Sequence, residues 1–143
     1  MVFKFLKNAS DNFFCNVLGL DISDCKTKSF KNFYCSKVSI YQNDIEYDAV
    51  FLFKKDTVKL IAQHLLFEDN LDEEASIDLL KEVANLIGGT AKTLIEEFDS
   101  NSIYTLSTPE YLGFIKDIKE IGLTCYASNK INNRCFIIGL EEI

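Results

Sequence analysis

The segment KEVANLIGGTAKTLIEE, Lys81–Glu97, keeps a helical repeat of apolar residues on both sides of two adjacent glycines, Gly88 and Gly89. Glycine inside a helix is less favourable than alanine by about 1 kcal/mol. Asn85, another weak helix former, lies just before the pair. The centre of an otherwise well-made helical sequence therefore carries its weakest helix formers, and helix stability cannot be the reason for them.

The apolar residues around this segment recur at spacings of three and four, which predicts one long helix from about Glu73 to Phe98. Its buried stripe comprises Ile77, Leu80, Ala84, Ile87, Ala91, Leu94 and Phe98, widened by Leu79, Val83 and Leu86. The opposite face carries Asp78, Glu82, Asn85, Gly89, Lys92 and Glu96.

Gly89 is expected on this open face, one turn beyond Asn85. A residue without a side chain there would let another molecule's backbone approach the helix closely. A polar row opposite an apolar stripe is also typical of an ordinary surface helix. Gly88 is equally consistent with a packing glycine that admits a neighbouring strand. Two glycines directly after an asparagine favour a docking surface, but they specify no chemistry.

The rest of the chain predicts an α+β fold: a two-layer domain with long helices packed on one face of a mainly antiparallel sheet. A β-hairpin is expected around Asn43-Asp44, followed by a short helix capped by Asp56 or Thr57. The elements, in order, are a helix near 7–18, strands near 36–42 and 46–54, a helix near 56–66, the long helix, strands near Ser102–Leu106, Tyr111–Ile115, Ile121–Ala127 and Arg134–Leu140, and a last turn at 128–133.

Composition limits the classes of function. A length of 143 residues, 48% of them hydrophobic with one proline, suits one folded domain spanning residues 1–143. The net charge is −7, and no lysine or arginine cluster stands clear of acids, so we expect no nucleic-acid partner. No apolar run approaches the roughly 20 residues that span a membrane. We therefore expect a cytoplasmic protein that does not bind membranes.

The five cysteines include no CxxC pair, and His64 is the only histidine. An odd count argues against a disulfide framework, and the lack of ligand clusters argues against a metal site. Cys125 and Cys135 are placed to face each other across a hairpin, but reduced core thiols are the preferred interpretation. His64 is expected at the surface or half-buried rather than in a catalytic role.

The pattern Asp78-xxx-Glu82-xx-Asn85, followed by Gly88-Gly89-Thr90-Ala91-Lys92, resembles the motif helix of the CheC/CheX/FliY phosphatases of bacterial chemotaxis. Pro109, in LSTPEYLGF, lies one residue later than the family's usual spacing. The resemblance covers nearly the whole chain. Since the sequence has a single ExxN motif, it is similar to the CheX branch, which typically forms homodimers by sheet-edge contact.

The resemblance implies a substrate: the phosphoaspartate of a CheY-like receiver domain, which itself supplies Mg²⁺. The chain would need no cofactor of its own. Asn85 would position the attacking water, because a carboxamide donates and accepts hydrogen bonds at once. Glu82 would pair with the receiver's lysine. Asp78, Gly88, Gly89 and Lys92 would contact the partner.

Two alternatives share this fold. One is a non-catalytic docking module for a receiver domain or a flagellar switch component, which the displaced Pro109 and the acidic segment before the long helix leave open. The other is a structural flagellar component. The presence of both Glu82 and Asn85 favours the phosphatase.

Overall fold

The computed structural model describes residues 2–26 and 30–143, which form three α-helices and one seven-stranded sheet. The helices are α1 (Val2–Asn12), continued by a π-helical turn (Phe13–Val17), α2 (Lys55–Leu65) and α3 (Glu73–Phe98). The strands are β1 (Ile22–Asp24), β2 (Lys31–Gln42), β3 (Ile45–Phe53), β4 (Tyr104–Leu106), β5 (Glu110–Asp117), β6 (Cys125–Ile131) and β7 (Arg134–Glu142).

Every strand pair in the sheet is antiparallel, and the order is β1-β6-β7-β3-β2-β4. The long β2 has two neighbours on its outer side: β4 pairs with its last residues and β5 with its first. Pro109 lies between these two short strands, a place where its missing N–H removes no bond from the middle of a ladder. The predicted α+β class with a mainly antiparallel sheet is confirmed.

The main core lies between the three helices and one face of the sheet. Phe14, in the π-helical turn, packs on Phe136 of β7 with ring centroids 4.6 Å apart, and α3 lies over Val38 and Ile40 of β2. Alternation along β2 sends Phe33 and Cys35 to the other face, where they join a smaller cluster. The helices thus cover one face, as predicted.

The second face of the sheet is covered in part by the segment after β5. A 3₁₀ turn, Ile118–Glu120, leads into Ile121 and Leu123, which pack against the second cluster. The strand predicted at Ile121–Ala127 is therefore wrong in its first half: β6 begins at Cys125. The apolar residues before it are buried by packing on the sheet face rather than by strand pairing.

Several element boundaries differ from the predictions. The first helix begins at Val2, because Val2 and Leu6 are buried as well. Neither predicted cap of α2 is correct: Lys54 precedes the helix without a side-chain cap, and the Thr57 hydroxyl donates to the Cys135 carbonyl. The last turn is confined to residues 132–133, since 128–131 belong to β6. The short β1 was not predicted.

The bounds of α3 and the hairpin turn at Asn43-Asp44 are confirmed, but β2 begins at Lys31 rather than near residue 36. Asn43 has a φ of 53°, the left-handed conformation that asparagine tolerates in tight hairpin turns. No helix among the described residues is long and apolar enough to cross a membrane.

Cys25 and Cys135 form a disulfide, so the prediction of reduced thiols is wrong for these two residues. The Cys125–Cys135 alternative is also wrong, because Cys125 lies opposite Leu140 in the β6–β7 ladder. Because β1 pairs with β6, Cys25 lies beside β6 and close to Cys135 at the start of β7. Cys35 is a buried free thiol, and burial raises its pKa to about 12, more than Lys37 lowers it.

The disulfide closes a loop between cysteines separated by 110 positions, so it restricts the unfolded chain strongly. We expect Cys25→Ser to lower the free energy of unfolding by about 3 kcal/mol in urea without reductant. With dithiothreitol, variant and original should unfold alike. The exposed free thiol of Cys15 provides the control, since Cys15→Ser should change neither curve. Equal stability of the Cys25→Ser variant without reductant would contradict the disulfide.

Candidate functional site

The long helix α3 begins with a well-formed N-terminus. The Asp72 carboxylate accepts a hydrogen bond of 2.7 Å from the Ala75 N–H, and Glu73 and Glu74 occupy the first turn. The central stripe is buried as predicted at Leu80, Ala84, Ile87 and Ala91. Two residues predicted in the buried stripe are not buried: Phe98 is 65% exposed at the helix end, and Leu86 is 38% exposed.

The predicted polar row lies on the open side of α3. Asp78 and Glu82 are exposed, and Asn85, Gly89, Lys92 and Glu96 are half-buried. Within residues 2–26 and 30–143, neither the Glu82 carboxylate nor the Asn85 carboxamide forms a hydrogen bond or ion pair. Both polar groups, one helical turn apart, are therefore available to another molecule.

Lys92, the positively charged residue of this row, forms an ion pair within the helix. Lys92 Nζ lies 2.9 Å from the Glu96 carboxylate, four residues on. A partly exposed pair of this kind stabilises a helix by only a few tenths of a kcal/mol, about 0.3–0.5. A partner's carboxylate could thus replace Glu96 at little cost. The role expected for Lys92 in partner binding stays a prediction.

The two central glycines have different surroundings. A Cβ on Gly88 would lie 2.5 Å from Val38 Cγ1 and 3.3 Å from Leu106 Cδ1, whereas a Cβ on Gly89 would meet nothing within 4 Å. Gly88 is buried against the sheet, so its expected place on the partner-binding surface is wrong. It permits α3 to pack closely on β2 and β4. Gly89 lies on the open side, as predicted.

The helical repeat also places residues on the open side that sequence reasoning assigned elsewhere or left out. The apolar repeat predicts Leu86, four residues after Glu82, in the buried stripe, and it assigns no place to Thr93. A finer placement of 100° per residue puts both close to Glu82 and Gly89 on the helix surface. The Thr93 hydroxyl donates to the Gly89 carbonyl at 3.1 Å, which satisfies it inside the helix.

The segment containing Pro109 follows a short strand, as expected, and is fixed to β2. The Ser107 N–H donates to the Ser39 carbonyl at 2.9 Å, and the Ser39 N–H donates to the Ser107 hydroxyl at 2.9 Å. These bonds hold the turn at the strand that supports Gly88.

Other chemistry has less support in the described part of the chain. No group of three or more His, Cys, Asp or Glu residues there is arranged to hold a metal ion. His64 is exposed, and its Nδ1 lies 3.0 Å from the Leu60 carbonyl at the end of α2. A surface groove of about 1050 Å³ lies between α2, the start of α3 and β5, and it does not include Glu82 or Asn85.

No family model and no curated protein matches this chain. Solved structures do match it over nearly its full length. The chemotaxis protein CheX from Vibrio vulnificus superposes with a TM-score of 0.80 at 15% identity, covering 99% of each chain. CheX in the CheX–CheY–BeF3–Mg complex from Borrelia burgdorferi gives 0.70 at 14% identity, covering 99% of this chain and 97% of that one.

FliY from Thermotoga maritima matches more distantly, with a TM-score of 0.63 at 14% identity over 96% of this chain and 85% of that one. The fold of this protein is therefore the one shared by CheX, CheC-like and FliY proteins. At these identities the likeness concerns the fold.

The glycine pair provides a matched test of the α3 packing. We expect Gly88→Ala to lower the free energy of unfolding by about 2 kcal/mol, because the stiff, branched Val38 cannot move away from the added methyl group. Gly89→Ala should raise it by about 0.5–1 kcal/mol, since alanine favours the helix and the space is open. Urea unfolding of the two variants measures both effects. Equal shifts of the same sign would contradict this packing.

Proposed function

We propose that this chain is a CheX-like member of the CheC/CheX/FliY family and hydrolyses the aspartyl phosphate of a CheY-type receiver domain in chemotaxis signalling. The observation that carries the proposal is the pair Glu82 and Asn85, unpaired and accessible one turn apart on the open side of α3. The fold adds support, because one matching structure is a CheX bound to CheY.

In the proposed reaction, a water oxygen bonds to phosphorus while the bond between phosphorus and the aspartate oxygen breaks. The electron pair stays on the aspartate carboxylate, and the protons of the water pass to the released phosphate and to solvent. The receiver would supply the Mg²⁺, which would neutralise phosphoryl charge. The role left for a partner is to hold the water in line with the breaking bond.

Asn85 is suited to that role. Its amide oxygen accepts a hydrogen bond from the water and its NH₂ group donates one, so both orient the water without being consumed. Asn85 is half-buried at the side of the helix, and its carboxamide has no hydrogen-bond partner among the described residues that a water would have to displace. Gly89, one turn further, leaves room for the receiver's backbone.

Glu82 is proposed to set the register of the complex. Its carboxylate has no partner among the described residues and is exposed, so it can pair with the receiver's lysine without first breaking a bond in this protein. Asp78 extends the acidic surface by one turn.

We further propose a cytoplasmic homodimer, as the family resemblance implies.

Asn85→Ala should slow receiver dephosphorylation by about 100-fold at saturating protein, because an unheld water rarely meets the phosphorus in line. The measurement is the decay of a phosphorylated CheY-type receiver with Mg²⁺. Glu97→Ala, an exposed carboxylate on the same helix, is the matched control and should leave the decay rate unchanged. If the original chain binds the receiver without accelerating its decay, the non-catalytic docking module is the correct function.

Glu82→Gln keeps the shape of the side chain but removes its charge. Loss of a charge-assisted bond of about 1.5 kcal/mol should raise KM about tenfold, with a smaller effect on kcat. The effect should shrink at high ionic strength if Glu82 remains partly solvated in the complex. Steady-state dephosphorylation at low and high salt measures this. A change in kcat with constant KM would instead place Glu82 at the reacting atoms.

A further inference from the structure

The connector between α2 and α3 carries an unusually exposed aromatic residue. Phe67 is 88% exposed, and the neighbouring Leu66 is 45% exposed. Phe67 also has a φ of 58°, in the left-handed region that phenylalanine seldom adopts. The residue is therefore both strained in its backbone and unburied in its side chain.

The strain arises where α2 ends. The N–H groups of Leu66 and Glu68 both donate to the Ala62 carbonyl, at 2.9 and 3.3 Å, and Phe67 between them must turn the chain left-handed. Glycine is the usual residue at such a helix end, because it has no Cβ to clash. Phenylalanine here contributes nothing to the helix end and nothing to the core. Stability of the fold therefore does not explain its presence.

The segment that follows Phe67 is rich in acidic residues, although Lys55 and Lys59 of α2 line a groove together with Asp69 and Glu73. Residues 60–80 contain six acidic residues and no lysine or arginine. All six are exposed: Glu68, Asp69, Asp72, Glu73, Glu74 and Asp78. An exposed aromatic ring within an acidic surface is complementary to an apolar pocket bordered by lysine or arginine.

Part of this acidic segment leads along α3 to the proposed active site. Glu74, Asp78 and Glu82 follow one another at four-residue spacing along α3, so they lie on one side of the helix. Glu82 is about 14 Å from the start of α3. Five residues, 68–72, separate the start of α3 from Phe67. A protein footprint of standard size, about 30 Å across, can cover both ends.

We propose that Phe67 is a second anchor for the receiver domain, inserting into an apolar pocket that basic side chains border on the receiver. The inference rests on the proposed function. Phe67 contributes affinity and Asn85 contributes the reaction, so the two residues act on different kinetic constants.

Phe67→Gly should move stability and binding in opposite directions. Removing the strain should raise Tm by about 3 °C. Loss of the anchor should weaken receiver binding and raise KM about tenfold, with little change in kcat. Phe67→Tyr keeps an aromatic ring at this position and should therefore retain the affinity of the original chain for the receiver. Asn43→Gly is the matched control: Asn43 is also left-handed but lies in the β2–β3 turn, so its replacement should leave KM unchanged.

The outcomes separate the two proposals. If the original chain dephosphorylates the receiver and Phe67→Gly leaves both KM and the dissociation constant unchanged, the anchor is overturned and the phosphatase stands. If the original chain binds without catalysis and Phe67→Gly weakens binding, the phosphatase is overturned and the anchor stands. A chain that neither binds nor dephosphorylates the receiver overturns both. A fall in Tm for Phe67→Gly would overturn the claim that the residue is held under strain.

Discussion

The close contact of α3 with β2 at Gly88 determines how the rest of the protein is arranged. Because no side chain separates the helix from Val38 and Leu106, α3 lies directly on β2 and β4, toward one edge of the sheet. Its buried stripe then fills the main core, and the opposite face is turned outward along the whole helix. Gly89 is adjacent in sequence but lies on the other side. One glycine thus sets the position of the helix, and the next keeps its outer surface low.

The length of β2 makes this arrangement possible. A strand of 12 residues pairs with β3 along one edge and with both β4 and β5 along the other. The Ser39–Ser107 bonds fix the chain between the two short strands at the level of the helix contact. The strand β2 therefore packs against α3 through Val38 and also holds the Pro109 segment through the bonds of Ser39 to Ser107. Positioning of the candidate site depends on backbone packing and ladder pairing more than on polar side chains.

The sequence predicted those helices and strands in which buried and exposed residues alternate with a regular period. The bounds of α3 follow from periodicity, the β2–β3 turn follows from its turn residues, and the open side of α3 follows from the helical repeat. Features set by contacts distant in sequence were missed. The Cys25–Cys135 disulfide joins residues 110 positions apart, and β1 is too short to show a pattern. Ile121 and Leu123 resemble a strand because they alternate, but the face of the sheet buries them.

Stability and function can be distinguished at individual residues by asking what each contributes to the folded chain. Asn85 is less favourable in a helix than alanine by roughly half a kcal/mol, and its carboxamide bonds to nothing among the described residues. Phe67 adopts a strained backbone without burying its ring. Gly88, by contrast, is explained completely by the strand beneath it. Residues that weaken the fold without compensation mark a surface whose purpose lies in another molecule. Both such residues belong to α3 or to the connector that leads into it.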